Sequence, residues 1–263
     1  LPLVVIDVQR GGPSTGLPTK TEQSDLNQAL YGRNGECPMA VIAAHSPAHC
    51  FDAAFSAAKI ALEHMTPVLL LSEGFLGNGS EPWRIPSMKD YPEIRPPFVQ
   101  GILKEGEKFH PFKRDPETLV RRWAIPGQKG LEHRVGGLEK NHDGVLSTDP
   151  LNHATMVAER AEKVARIAKD IPQLSILHGP EQGKLLVVGW GGTYGHIWSA
   201  VHEMDNVSYA HFDYINPLPS NTGKVLDSFE KILVCELNSG QFADYLRARF
   251  PHLEIHKFNK IQG

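Results

Sequence analysis

Three short apolar runs mark the first part of the chain: Leu3–Val8, Met39–Ala44 and Pro67–Leu71. None alternates strictly between apolar and polar, which is the pattern of strands buried on both faces of a parallel sheet. Between the second and third, Ser46-Pro47-Ala48 predicts a helix start, with serine as cap and proline in the first turn. Cys50, Ala54, Ala57, Ala58 and Ala61 give that helix a small inner face suited to close packing on a sheet. Strand, helix and strand in this order predict a βαβ unit.

From Gly74 to Gly144 the periodicity disappears and proline and glycine become dense, as in "EPWRIPSMKDYPEIRPPF". Trp83, Phe98, Phe109, Phe112, Trp123 and Leu131 lie in this stretch and predict an ordered wrap, because a free linker has little use for large apolar side chains. Asp149-Pro150 opens a helix that runs to about Lys169, with Met156, Ala161, Val164 and Ile167 as its inner face. The last third contains "KLLVVGWGGTYGHIWSAV", "VSYAHFDYINPLP", "KILVCELNSGQFADYL" and "LEIHKF". Four strands separated by helices predict a second, small doubly wound α/β unit. The fold class is α/β throughout.

Composition narrows the function. The chain has 263 residues and a formal net charge of -3, which gives no support for nucleic acid as partner. No apolar run is long enough for a membrane span. Cys37, Cys50 and Cys235 are odd in number and never paired as CxxC, which favours a reducing, cytoplasmic setting and argues against a cluster on this chain. His45 and His49 could share a helix face, but no third ligand stands at useful spacing, so no metal site is expected.

The loop after the first strand carries the densest chemistry. Gly11, Gly12 and Gly16 permit backbone conformations that aim N–H groups at an anion, and Ser14, Thr15, Thr19 and Thr21 add hydroxyls. Arg10 adds a planar fork suited to a carboxylate or phosphate. Neither a Walker loop nor a GxGxxG fingerprint is present. "VVGWGGTYGHI" also runs through glycines into a helix, but close packing of that helix on its sheet is the better reading. Glu236 and Asn238 at the end of "LVCELNSGQ" are read as structural, and Glu132-His133-Arg134 as an interface turn rather than a catalytic dyad.

Taken together, "QRGGPSTGLPTKTEQSDL", "TPVLLLSE", "WAIPGQKGLEHRVGGLEK", "GWGGTYG", "INPLP" and "ELNSGQ" resemble the alpha subunits of the 2-oxoacid:ferredoxin oxidoreductase family, in its 2-oxoglutarate branch. The resemblance covers Leu1 to Gly263 in order. It implies oxidative decarboxylation of a 2-oxo acid with coenzyme A, giving an acyl-CoA, carbon dioxide and reduced ferredoxin. The family's arginine and second threonine of R-x-GPSTG-x-PT help to hold the 2-oxo acid, and they fall on Arg10 and Thr19. Thiamine diphosphate and Mg2+ would be shared with a beta subunit that mostly holds them, with any iron-sulfur cluster on a partner subunit. The family's Tyr-Pro-Ile-Thr-Pro motif and its pyrimidine-activating acid lie upstream of these segments and are absent here. Leu1 is therefore expected to be an internal residue of a longer chain.

The resemblance divides the chain into 1–100, the remainder of a pyrimidine-binding α/β domain; 101–174, a wrapping linker with a long helix; and 175–263, a transketolase C-terminal-like domain. The expected activity is that of a 2-oxoglutarate:ferredoxin oxidoreductase subunit, with the fragment alone inactive. The alternatives are the same chemistry on pyruvate or branched-chain 2-oxo acids, or a non-catalytic anion-binding assembly subunit. Catalytic residues are not identified, and Lys20, His133 and Arg134 are only guesses for a distal carboxylate.

Overall fold

The computed structural model describes residues 1–101 and 106–262. Two sheets organise it. In the first, β1 (Leu3–Gln9), β2 (Ala40–Ala43) and β3 (Pro67–Glu73) run parallel, and β7 (Tyr214–Asn216) joins antiparallel, in the order β1-β3-β2-β7. In the second, β4 (Ile176–His178) is antiparallel to β6 (Ser208–Phe212). Beyond these lie β5 (Gly183–Trp190), β8 (Phe229–Glu236) and β9 (Ile255–Asn259), all parallel to β6, in the order β4-β6-β5-β8-β9.

Crossover helix α2 (His49–Glu63) joins β2 to β3 and confirms the βαβ unit. Ser46 caps it as expected: its Oγ accepts from His49 N–H (3.2 Å). Ala53, Ala57, Ile60 and Ala61 are buried on the sheet together with Ile42, Val68 and Leu70. Small side chains on this face let the helix axis come close without leaving voids.

A second core lies on the other side of the first sheet. There Val41, Ala43 and Leu71 meet Trp190, Phe212 and Phe242 of the second unit, so one apolar core runs through both sheets. Two short helices follow the loops that matter below: α1 (Leu26–Tyr31) after β1, and α7 (Gln241–Arg249) after β8. No described helix is long and apolar enough to cross a membrane.

Three expectations need correction. First, β1 is not buried on both faces: Leu3, Ile6 and Val8 are 55%, 58% and 56% exposed. It pairs only with β3, and no described strand lies on its other side. Second, Ala161 is exposed on α4 (Pro150–Arg166), while Met156 and Val164 are buried, followed by Ile167 in the short 3-10 turn. Ala161 is five residues on from Met156, roughly 140° round the helix, whereas Ile167 returns to within about 20°. Third, "VSYAHFDYINPLP" is two strands rather than one. The chain leaves the second sheet at Phe212, passes Asp213, whose carbonyl accepts from Ala43 N–H (2.8 Å), and enters the first sheet as β7.

Among the described residues, the proline-rich segment between α3 (Gly74–Asn78) and α4 is tied down at many points. Phe98 packs edge-on to Trp123, with Val99 N–H bonded to Trp123 O (2.8 Å). The Tyr91 hydroxyl donates to Asp52 on α2, Arg95 N–H reaches Glu63 (2.9 Å), and Arg114 pairs with Glu159 on α4 (2.8 Å). Asp149 caps α4 through Leu151 N–H (3.0 Å), with proline at the first turn as the sequence predicts.

Candidate functional site

The loops after β1, β2 and β3 leave the carboxyl ends of parallel strands, where open α/β sheets hold ligands. After β1 the chain doubles back on itself. Leu17 N–H donates to Gly11 O (2.7 Å), and Gly11 N–H donates to Lys20 O (3.3 Å). Gly11 is buried at this closure and residues 12–20 stand exposed beyond it. The amide of Gly11 is thus spent inside the loop and is not aimed at an anion. Among the described residues, nothing takes the N–H groups of Gly12, Ser14, Thr15 or Gly16.

Only glycine fits at position 16: its φ is +56°, and a Cβ there would meet Gly11 O at 1.6 Å. Ser14 (φ +59°) and Thr19 (φ +64°) adopt the same left-handed region without being glycine. For a β-branched residue such as Thr19 this costs roughly 1–2 kcal/mol. Arg10 and Thr19 flank the hydrogen-bonded pair Gly11–Lys20, so the closure brings both ends of the loop together. Arg10 is exposed, and its guanidinium has no hydrogen bond or ion pair among the described residues. A free planar cation beside hydroxyls and open amides can receive a carboxylate.

Across from these loops stand the carboxyl ends of β5, β6 and β8, and Gln23 carries much of the hydrogen bonding across the seam between them. Gln23 is fully buried and uses every polar group it has. Its N–H and carbonyl bond Leu237 O (3.0 Å) and Asn238 Nδ2 (2.9 Å), while Nε2 donates to Trp190 O (2.7 Å) and Oε1 accepts from Leu237 N–H (2.9 Å). Glu236 accepts from Phe242 N–H, Ala243 N–H and Trp190 Nε1, and so caps α7. Asn238 Oδ1 accepts from Gly240 and Gln241 N–H. Both are structural, as the sequence suggests.

The turn in "GWGGTYG" is likewise packed shut: a Cβ on Gly189 would meet Ile197 Cδ1 at 2.3 Å, and one on Gly192 would meet Glu73 Oε1 at 1.7 Å. Sequence reasoning did not single out Glu73, whose signal is a lone acid ending an apolar strand. Both of its carboxyl oxygens are buried without a hydrogen-bond partner, and burial pushes its pKa up to about 7.

Asp213 was also missed. It lies 168 residues from His45, and its Oδ1 is 2.7 Å from His45 Nδ1, while Oδ2 is 3.9 Å from His49 Nε2. Contrary to the expectation from sequence spacing, a third ligand does stand within reach of the two histidines: the three ligand atoms lie within 4.8 Å of one another. The two imidazoles, however, are stacked at 3.7 Å and nearly parallel at 13°. A metal binds in the plane of an imidazole ring, and no point near both nitrogens lies in both planes. Burial works to raise the Asp213 carboxyl, but the His45 hydrogen bond and the neighbouring His49 hold it below the usual carboxylate range. This group is a hydrogen-bonded pin between the sheets. Glu132, His133 and Arg134 are exposed, with His133 turned onto the Leu131 carbonyl (2.8 Å) of its own turn.

The chain is 50% identical over its whole length to the 2-oxoglutarate oxidoreductase subunit KorA of Mycobacterium tuberculosis, of which it covers 40%. It is 29% identical to the 2-oxoglutarate synthase subunit KorA of Methanothermobacter thermautotrophicus, covering 69% of that protein. Its structure matches the 2-oxoglutarate:ferredoxin oxidoreductase from Magnetococcus marinus, solved with 2-oxoglutarate, coenzyme A and succinyl-CoA bound. The TM-score is 0.88 at 26% identity, over 99% of this chain and 46% of the other. The chain thus spans less than half the length of the mycobacterial relative and of the solved structure it matches.

The description "Pyruvate flavodoxin/ferredoxin oxidoreductase, thiamine diP-bdg" fits residues 1–145. A carboxylate serving thiamine diphosphate would have to be open to it, whereas Glu73, the orphaned acid near these loops, is sealed behind Gly192. The described residues do not by themselves form a closed site for that cofactor. The match to residues 1–145 takes in more than half of the sequence, and the chain belongs to the thiamine diphosphate-binding pyruvate flavodoxin/ferredoxin oxidoreductase family.

Proposed function

We propose that this chain is part of the alpha subunit of a 2-oxoglutarate:ferredoxin oxidoreductase, which converts 2-oxoglutarate and coenzyme A into succinyl-CoA, carbon dioxide and reduced ferredoxin. The observation that carries the reading is the loop after β1: an exposed Arg10 with no internal partner, beside a strained Thr19. Arg10 receives the substrate's 1-carboxylate through its guanidinium, and Thr19 adds a hydroxyl. The names of the mycobacterial and methanogen relatives and the ligands in the Magnetococcus structure support 2-oxoglutarate as the substrate.

In the complete cytoplasmic assembly, thiamine diphosphate and Mg2+ would supply the decarboxylation chemistry, with a beta subunit that mostly holds them and an iron-sulfur cluster on a partner subunit passing electrons to ferredoxin. Within this chain, residues 1–100 would be the remainder of the pyrimidine-type domain, 101–174 the wrap and 175–263 the transketolase C-terminal-like domain. Arg10 acts before the carboxylate leaves, so its contribution falls on binding and on the approach to decarboxylation.

The test uses the full-length alpha subunit with its beta subunit and measures coenzyme A-dependent viologen reduction with 2-oxoglutarate, pyruvate and 2-oxoisovalerate. Arg10→Ala removes one charge-assisted contact and should lower kcat/KM for 2-oxoglutarate about ten- to a hundredfold, or roughly 1.5–3 kcal/mol. The melting temperature should not change, because nothing in the described chain leans on that side chain. Higher kcat/KM for pyruvate than for 2-oxoglutarate would move the assignment to another branch, and an unchanged Arg10→Ala enzyme would remove the loop from the site.

A further inference from the structure

The loop that carries Arg10 and Thr19 is exposed, and its internal closure rests on a few backbone bonds. The backbone of Arg10 follows β1, whose last residue Gln9 is held by the first sheet (Nε2 to Ser72 O, 3.2 Å) and accepts from Asp25 N–H (3.1 Å). The other hydrogen bonds at the loop's exit show a second hold on Arg10. All four polar groups of Gln23 bond residues of the second sheet unit and none bonds the first sheet. The next residue continues the path. Gln241 Nε2, at the start of α7, donates to Ser24 O (3.0 Å), and Ser24 Oγ donates to Arg10 O (2.8 Å). Gln241 Oε1 also accepts from Asn27 N–H (2.8 Å), which steadies the start of α1. From α7, then, two hydrogen bonds through one serine reach the backbone of the substrate arginine.

We propose that Gln23 and Ser24 are positioning residues for the 2-oxo acid site. Through them the second sheet unit helps to set the backbone of Arg10 for the incoming carboxylate. The inference rests on the proposed function, because it takes Arg10 to be the carboxylate's partner. It gives the second unit a part in substrate binding beyond architecture. A geometric clamp of this kind matters because displacement of a binding group by about 1 Å can cost far more than the bonds that hold it.

The full-length alpha subunit with its beta subunit is assayed as Arg10→Ala, Ser24→Ala and Gln23→Met, and as each of the last two combined with Arg10→Ala. Ser24 is exposed at its hydroxyl bond, so Ser24→Ala keeps the fold and decides the matter even where Gln23→Met does not. The expected result is a KM for 2-oxoglutarate raised about threefold by Ser24→Ala and about tenfold by Gln23→Met, with the KM for coenzyme A unchanged. In the Arg10→Ala background both changes should be nearly silent, since a misplaced alanine loses nothing. If Arg10→Ala is impaired but the losses multiply in the double variants, or if both KM values rise together, the positioning role is overturned and the substrate reading stands. If Arg10→Ala itself is undisturbed, the substrate reading falls and the positioning role with it.

Discussion

Two glycine-rich turns leave parallel strands in this molecule, and they have opposite fates. The one after β1, residues 10–21, is exposed from Gly12 to Lys20, and among the described residues the Arg10 guanidinium and the N–H groups of Gly12, Ser14, Thr15 and Gly16 have no partner. The one at the end of β5, with the last two strand residues and the turn that follows (189–195), is pressed against Glu73, Ile197 and Gln23 until no side chain fits at Gly189 or Gly192. Glycine serves freedom in the first and absence of volume in the second. A glycine run after a strand is thus ambiguous until one knows whether another layer of the protein stands over it. Here the layer over the second turn is the carboxyl end of the first sheet, and the described chain puts no such layer over the first.

Substituting alanine separates the two turns most sharply. At Gly189 a methyl group would strike Ile197, Thr193 and His211, at 2.3, 2.8 and 3.1 Å, from three sides, so no single side-chain movement relieves it. Overpacking of this kind should cost roughly 2–4 kcal/mol. At Gly12 the same methyl group meets nothing within 4 Å, and stability should stay within about 0.5 kcal/mol of the parent. Urea midpoints of the full-length subunit would show the contrast, and equal losses at both positions would erase it.

The closed turn has its own pH signature. Glu73 has its pKa raised by burial from 4.5 to about 7. The folded state therefore holds this proton more tightly than the unfolded state does. The associated stability is fully present below pH 4.5 and is lost as pH rises through 7, an amount of about 3 kcal/mol. Glu73→Gln keeps the shape and removes the titration, so the difference between parent and variant should narrow or reverse from pH 5 to pH 8. A parent and variant whose urea midpoints move in parallel over that range would show that the carboxyl is solvated and the turn less tightly shut.

Much of this was legible in the chain because it depends on local pattern. The βαβ unit, the serine cap of α2, the proline start of α4 and the structural roles of Glu236 and Asn238 each follow from residues close together in sequence. The candidate loop was legible for the same reason, since arginine, glycines and hydroxyls fall within a dozen positions. What was hidden depends on separation. Asp213 reaches His45 only because β6 hands over to β7 in another sheet, and the clamp on Gln23 spans more than 160 residues. Burial of β1 was misjudged because composition reports that a strand wants neighbours and cannot report whether the described chain supplies them. Ala161 was misplaced because alanine satisfies a core position or a surface one equally well.

The smallest effect bears on why the open turn is built as it is. Thr19 sits at φ +64°, where a β-branched residue is strained and glycine is not. Thr19→Gly relieves that strain but adds freedom to the unfolded chain, so the net gain in stability should be about 0.5–1 kcal/mol. If the strain is held for substrate binding, the same substitution should raise the KM for 2-oxoglutarate severalfold, because the hydroxyl is gone and the backbone is free to leave its left-handed conformation. Stability and activity would then move in opposite directions at one residue, which a turn serving only to connect β1 to α1 would not produce. A Thr19→Gly subunit that is both more stable and equally active would mean that the strain is incidental and that Arg10 alone makes the loop a binding site.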